Sequence, residues 1–197
     1  MDDELTDQIA AILENYHPMS RRSASLISDR ACLLELDRDE ELIRQGEPDP
    51  SEYFILEGTL HRYVIDSEGE RVTSAFHLAG TVITPHFSRT VEGRSKFNLQ
   101  ALVPSKLAAL PVKELDRLRY SHEELRVFGL KVVERELIGS IQQSIAFRER
   151  SARERLIAFR AEYPGLENMI AHTTIASYLG ITPVSFSRLR KELSREN

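Results

Sequence analysis

From Met1 to about Arg30 the apolar residues Leu5, Ile9, Ile12, Leu13, Tyr16, Leu26 and Ile27 recur every three or four positions, the spacing of one buried helical face. Short helices are predicted there. From Ala31 to Pro111 the texture changes to brief apolar runs, ACLLEL, EYFIL, HRYVI, RVTSAFHL, KFNLQALV and KLAAL, which read as strands. Gly46, Gly58, Gly69 and Gly80 punctuate them at intervals of 12, 11 and 11. Short strands broken by turn residues at that rhythm predict a sandwich or barrel, with glycine supplying the positive φ of tight connections.

After Pro111 the pattern turns helical again, through Leu125, Phe128, Leu130, Val133, Leu137, Ile141 and Ile145. A helix of about 25 residues spans ~37 Å, more than a small barrel needs as a cap. Packing on its own barrel accounts for single residues but not for the length. Leu130, Val133, Leu137, Ile141 and Ile145 are therefore expected to meet a second copy of the chain. Gly139 costs up to about 1 kcal/mol in a helix interior, so a close approach by a partner helix or a ligand is expected there. FRERSARERLIAFRAEYPG is charged, then amphipathic, then stopped by Pro164 and Gly165. A boundary near Arg150 gives three segments: 1–111, 112–150 and 151–197.

Composition narrows the class. With 41% hydrophobic and 29% charged residues the chain can build a core. Cys32 is the only cysteine, which excludes an intramolecular disulfide and a four-thiolate iron–sulfur cluster. The opening MDDELTDQIAAILENY is acidic where a signal peptide is basic, and no apolar run approaches the roughly 20 residues of a membrane span. A cytoplasmic protein without a membrane partner is expected. The net charge of −5 argues against general nucleic-acid coating, but residues 148–197 carry nine Arg and Lys against six Glu. The C-terminal end is the expected anion-facing part.

TIASYLGITPVSFSRLRKEL, Thr174 to Leu193, has the layout of a helix-turn-helix. Ile175, Ala176 and Leu179 form an inner face, Gly180 allows the turn, and Ile181 plugs the angle. Thr182 is a hydroxyl N-cap and Pro183 suits the first helical turn. Phe186, Leu189 and Leu193 point inward, leaving Pro183, Val184, Ser187, Arg188 and Lys191 outward. In a major groove, Arg188 is the natural bidentate reader of guanine. Thr182, Ser185, Arg190 and Lys191 are placed for phosphates, with Thr173 adding one contact. An ordinary helical hairpin with solvated basic residues is the bland alternative, against which the positive charge and the small-residue turn argue.

Glycine-punctuated strands, a long helix and a C-terminal helix-turn-helix, in that order, resemble the Crp/Fnr superfamily of transcription regulators. GEPDPSEYFILEGTL resembles its first hairpin region, NLQALVPSKLAALP its last barrel strands, and IASYLGITPVSFSRLRK its DNA-binding element. The resemblance implies an α+β fold: an N-terminal double-stranded β-helix, a jelly-roll-like β-roll with flanking helices, then a long dimerisation helix and a helix-turn-helix domain. It also implies a homodimer reading a near-palindromic operator in double-stranded DNA, with RNA polymerase as a further partner.

Three departures qualify it. The family's nucleotide pocket has a Gly-Glu pair and an Arg-Ser-Ala run; here Gly80 is followed by Thr81, and Arg94-Ser95 by Lys96, one place out of register. An effector pocket of Gly80, Thr81, Arg94, Ser95, Lys96 and Gly139 is expected, with Arg94 or Lys96 receiving an anion, and the register argues against a cyclic nucleotide. The cysteine set for an iron–sulfur cluster is absent. No β-hairpin wing follows Leu193. Two other classes stand beside the regulator. A ligand- or partner-sensing module with weak or no DNA binding is one. A cupin-like metalloenzyme is the other, but His61, His77 and His86 lack the ligand spacing, so no metal, no catalytic residue and surface or satisfied histidines are expected.

Overall fold

The computed structural model describes residues 3–196. Helices α1 (Asp3–Glu14) and α2 (Arg21–Ser28) open the chain. Strands β1 (Cys32–Leu36), β2 (Glu41–Ile43), β3 (Ser51–Glu57), β4 (Thr59–Ile65) and β5 (Arg71–Leu78) follow. After the single turn α3 (His86–Arg89) come β6 (Thr90–Val91), β7 (Arg94–Ser95), β8 (Asn98–Ala101) and β9 (Ser105–Pro111). The rest is α4 (Val112–Ser121), α5 (Glu123–Glu149), α6 (Ala152–Glu162), a 3-10 turn (Leu166–Asn168), α7 (His172–Tyr178) and α8 (Pro183–Glu196). This is the expected α+β β-roll with flanking helices, a long helix and C-terminal helices. No helix among the described residues is long and apolar enough to cross a membrane.

Two sheets, β1-β9-β3 and β2-β8-β4-β5, make the roll, and β6-β7 is a small separate hairpin. The antiparallel register Tyr53↔Ala109, Phe54↔Ala108, Ile55↔Leu107 shows how the period of two works. Tyr53, Ile55, Leu107 and Ala109 face inward with Leu60, Leu99 and Ala101 of the opposite sheet. Phe54, Ala108 and Leu110 face outward, under Ile9, Leu13, Leu115, Leu118, Leu125 and Phe128 of the helices. Both faces are buried, so these strands read as continuous apolar runs. Gly58, between β3 and β4, has φ +90°, and a Cβ there would stand 2.2 Å from Ser105 Oγ and 2.6 Å from the Pro104 carbonyl. Only glycine fits.

Residues pack into two compact units, one of residues 1–62 and 76–138, the other of 63–75 and 139–197. The division falls inside the 27-residue α5 rather than at its ends. The tip of the β4–β5 hairpin belongs with the C-terminal helices.

Candidate nucleic-acid interface

Local sequence sets up the C-terminal helices. Ser151 caps α6 in a reciprocal capping box with Glu154, each side chain serving the other's main-chain amide. Gly165, at φ +79°, ends the turn after Pro164 and starts the 3-10 segment. Ile175, Ala176 and Leu179 of α7 pack with Phe186, Leu189 and Leu193 of α8, all 8% exposed or less. Ile181 is half-buried at the corner. Gly180 turns the chain at φ +63°, and a Cβ there would come within 2.9 Å of the Phe147 ring. Thr182 caps α8, its Oγ1 accepting from the Ser185 amide at 3.1 Å.

The expected outer face is outward in the structure. Pro183, Ser187, Arg188 and Lys191 are exposed and Val184 is 80% exposed, with Thr173 exposed near the start of α7. Arg188, its side chain 73% exposed, has Glu192 one turn on at 3.8 Å, an exposed pair that contributes little. Ser185 is half-buried in the cap. Arg190 is placed differently. Its Nε donates to Glu167 Oε1 at 2.5 Å, while Arg160 clasps the same carboxylate at 2.6 and 3.0 Å. Burial pulls the Glu167 carboxyl upward, but the two guanidiniums overcome it and hold it below the usual carboxylate range.

Each effector residue read from sequence has its own surroundings. Gly80 and Thr81 form a turn, with Asn15 Nδ2 donating to the Gly80 carbonyl at 3.0 Å and Thr81 Oγ1 donating to the Leu78 carbonyl at 2.7 Å. Arg94 is exposed and donates to the Gly46 carbonyl at 2.9 Å. Ser95 is buried against the Phe97 carbonyl at 2.8 Å, and Lys96 is exposed. Gly139 is exposed, with nothing within 4 Å of its Cβ position.

The roll instead holds a polar interior that the sequence did not announce. Arg89, 1% exposed, bonds Asp49 at 2.7 and 3.1 Å, Glu52 at 3.0 Å, the Thr84 carbonyl at 2.6 Å and the Ser51 carbonyl. Arg62 donates to Thr84 Oγ1 at 2.7 Å and Glu136 Oε1 at 3.1 Å, with its guanidinium 4.9 Å from the Phe97 ring centre. Of the three histidines expected to be surface or satisfied, His61 is satisfied by Gln100 Oε1 at 3.2 Å, and His77 alone departs. His61 and His77 are buried, and His77 Nε2 has no hydrogen-bond partner. Burial, then the nearby Arg62, Arg89 and His61, push His77 down to about 3, so it is neutral. His86 bonds the Asp49 carbonyl at 2.6 Å. Among the described residues no group of three side chains could hold a metal ion.

These interior arginines do not fit a cyclic phosphate, because protein oxygens already take them: Asp49, Glu52, Thr84 and Ser51 for Arg89, and Thr84 with Glu136 for Arg62. A single cysteine does not fit an iron–sulfur cluster.

On α5, Leu130, Leu137, Ile141 and Ile145 are 65, 59, 52 and 52% exposed, and Val133 is half-buried. An apolar stripe thus runs along the helix without cover from this chain.

Comparison with known proteins agrees with this geometry. The cyclic nucleotide-binding domain family matches residues 33–122. The fumarate and nitrate reduction regulatory protein of Vibrio cholerae is 28% identical over 165 residues, 78% of this chain and 65% of that protein, so the match spans about two thirds of the relative. FixK2 from Bradyrhizobium japonicum superposes with a TM-score of 0.73 at 21% identity, covering 84% of this chain and 85% of that one. A Crp/Fnr-family transcriptional regulator from Eubacterium rectale superposes at 0.70 and 17% identity, covering 92% and 88%. Over residues 33–122 the chain is thus similar to the cyclic nucleotide-binding domain family, and it shares its fold with FixK2 and the Eubacterium rectale regulator.

Proposed function

We propose that the protein is a DNA-binding transcription regulator that acts as a homodimer in the cytoplasm, with the β-roll receiving an effector that is not a cyclic nucleotide. The observation that carries this is the exposed face of α8, where Arg188 and Lys191 stand one turn apart on a helix capped by Thr182. A helix so placed offers its N-terminal residues to base edges in the major groove. Pro183, Val184, Ser187 and Arg188 read sequence; Thr173, Thr182, Ser185 and Lys191 hold phosphates. The apolar stripe on α5 receives the same stripe of a second copy, which doubles the recognition helix and matches a near-palindromic operator. RNA polymerase is the further partner through which such a regulator acts.

Selection of bound fragments from a random duplex pool tests the reading. A two-fold-symmetric site with half-sites about one helical turn or a multiple apart is expected. Arg188→Glu with Lys191→Glu abolishes its binding while the dimer and melting temperature hold. Binding that survives both changes removes α8 as the recognition helix.

A further inference from the structure

Basic residues two apart on a helix lie about 200° around its axis. With Arg188 exposed and Phe186 and Leu189 buried, Arg190 is carried to the flank of the core rather than to the outer face. There its Nε meets Glu167, whose side chain is 11% exposed, at 2.5 Å. Another of its nitrogens lies 3.3 Å from His172 Nδ1, and its guanidinium carbon is 5.9 Å from the Phe186 ring centre. Glu167 sits in the 3-10 turn and is held from the other side by Arg160 of α6 through both carboxylate oxygens. One buried carboxylate thus joins three elements.

Resting on the reading of α8 as a recognition helix, we propose that Glu167 and Arg190 are positioning residues that set the roll of α8 about its axis and so aim Arg188 at base edges, and that Arg190 does not bind phosphate. Bidentate readout of a base tolerates little angular error. A clamp about half a turn from the reading residue supplies that restraint, beside the apolar contacts of the buried Phe186 and Leu189.

The two roles differ in their salt dependence. A phosphate contact adds about 0.9 to the slope of log K against log salt and strengthens all sequences alike; a positioning residue does neither. The probes are the duplex that wild-type protein enriches from a random pool and a scrambled duplex of equal length, titrated by fluorescence anisotropy across a salt series. Arg190→Met, which keeps the alkyl stem, is expected to weaken the enriched duplex by about tenfold, with the scrambled duplex and both slopes unchanged. Glu167→Gln should do the same, and the double variant should be no worse than the weaker single one, since the pair acts as a unit. A uniform loss on both duplexes with a slope lower by about 0.9 overturns the proposal, as does unchanged binding in both single variants. If Glu167→Gln fails to fold, the slope of Arg190→Met still decides. Wild-type protein that enriches no duplex overturns the recognition-helix reading itself, and the inference with it.

Discussion

The Thr73 amide donates to the Ser177 hydroxyl at 2.9 Å, and that hydroxyl donates onward to the Arg71 carbonyl at 2.7 Å. One serine of α7 therefore continues the hydrogen bonding of the β4–β5 hairpin tip, and Gln143 of α5 adds a bond to the Ser74 carbonyl at 3.2 Å. Residues 63–75 and 139–197 form one compact unit because of such contacts. Ser177→Ala leaves the Thr73 amide, in a residue 4% exposed, without this acceptor. A loss of about 1–3 kcal/mol is expected, read as faster hydrogen exchange at Thr73 and a lower melting temperature.

Arg89 neutralises two carboxylates that are themselves 0 and 2% exposed, Asp49 and Glu52. Burial alone lowers its proton affinity, but these carboxylates raise it further, so it stays charged. Arg89→Met strands both acids in the roll and should destabilise the protein by about 3–5 kcal/mol. Denaturant unfolding measures this, and a variant within about 1 kcal/mol of wild type contradicts the buried network.

His77 makes stability pH-dependent. Its unfolded value of 6.5 falls to about 3 in the fold, so the native state refuses a proton that the unfolded chain accepts. Stability from this group is complete above pH 6.5 and drains away as pH falls towards 3, at up to about 1.4 kcal/mol per pH unit. His77→Leu should flatten the stability profile between about pH 6.5 and 5. Urea unfolding of both proteins across that range tests it, and parallel profiles count against the assignment.

The α5 stripe predicts the behaviour of a charged pair. Leu137→Asp with Ile141→Asp places carboxylates at positions 59 and 52% exposed in the single chain, so the fold of one copy should hold while self-association is lost. Sedimentation velocity should show the monomer. A dimer that persists moves the interface away from α5.

Gly58 and Gly69 separate two costs of a side chain at positive φ. Gly69→Ala, at φ +86° with open space, should lose about 1–2 kcal/mol. Gly58→Ala adds a collision with the Pro104 carbonyl and Ser105, and should lose clearly more. Thermal melts of the two variants rank them.

Much of this was written in local pattern. Apolar spacing gave α1, α2, the main strands and the long helix, and Thr182, Gly180 and the inner triad of Phe186, Leu189 and Leu193 marked the helix-turn-helix. These rest on near-neighbour chemistry: capping, turn geometry and the periods of helix and strand. The two-residue strands β6 and β7 and the three-residue β2 escaped, being too short to show a period. What long-range packing decides was not legible. Arg89 lies 40 residues from Asp49 and 37 from Glu52, and Arg62 lies 74 from Glu136, so no window of sequence shows that they meet. Arg190 looks like any basic residue on a helix until Glu167, 23 residues earlier, is found against it. Sequence thus determined most of the elements and which face of α8 points outward. Only the tertiary structure decided which charges are spent inside, because a buried charge is fixed by partners that folding brings from elsewhere in the chain.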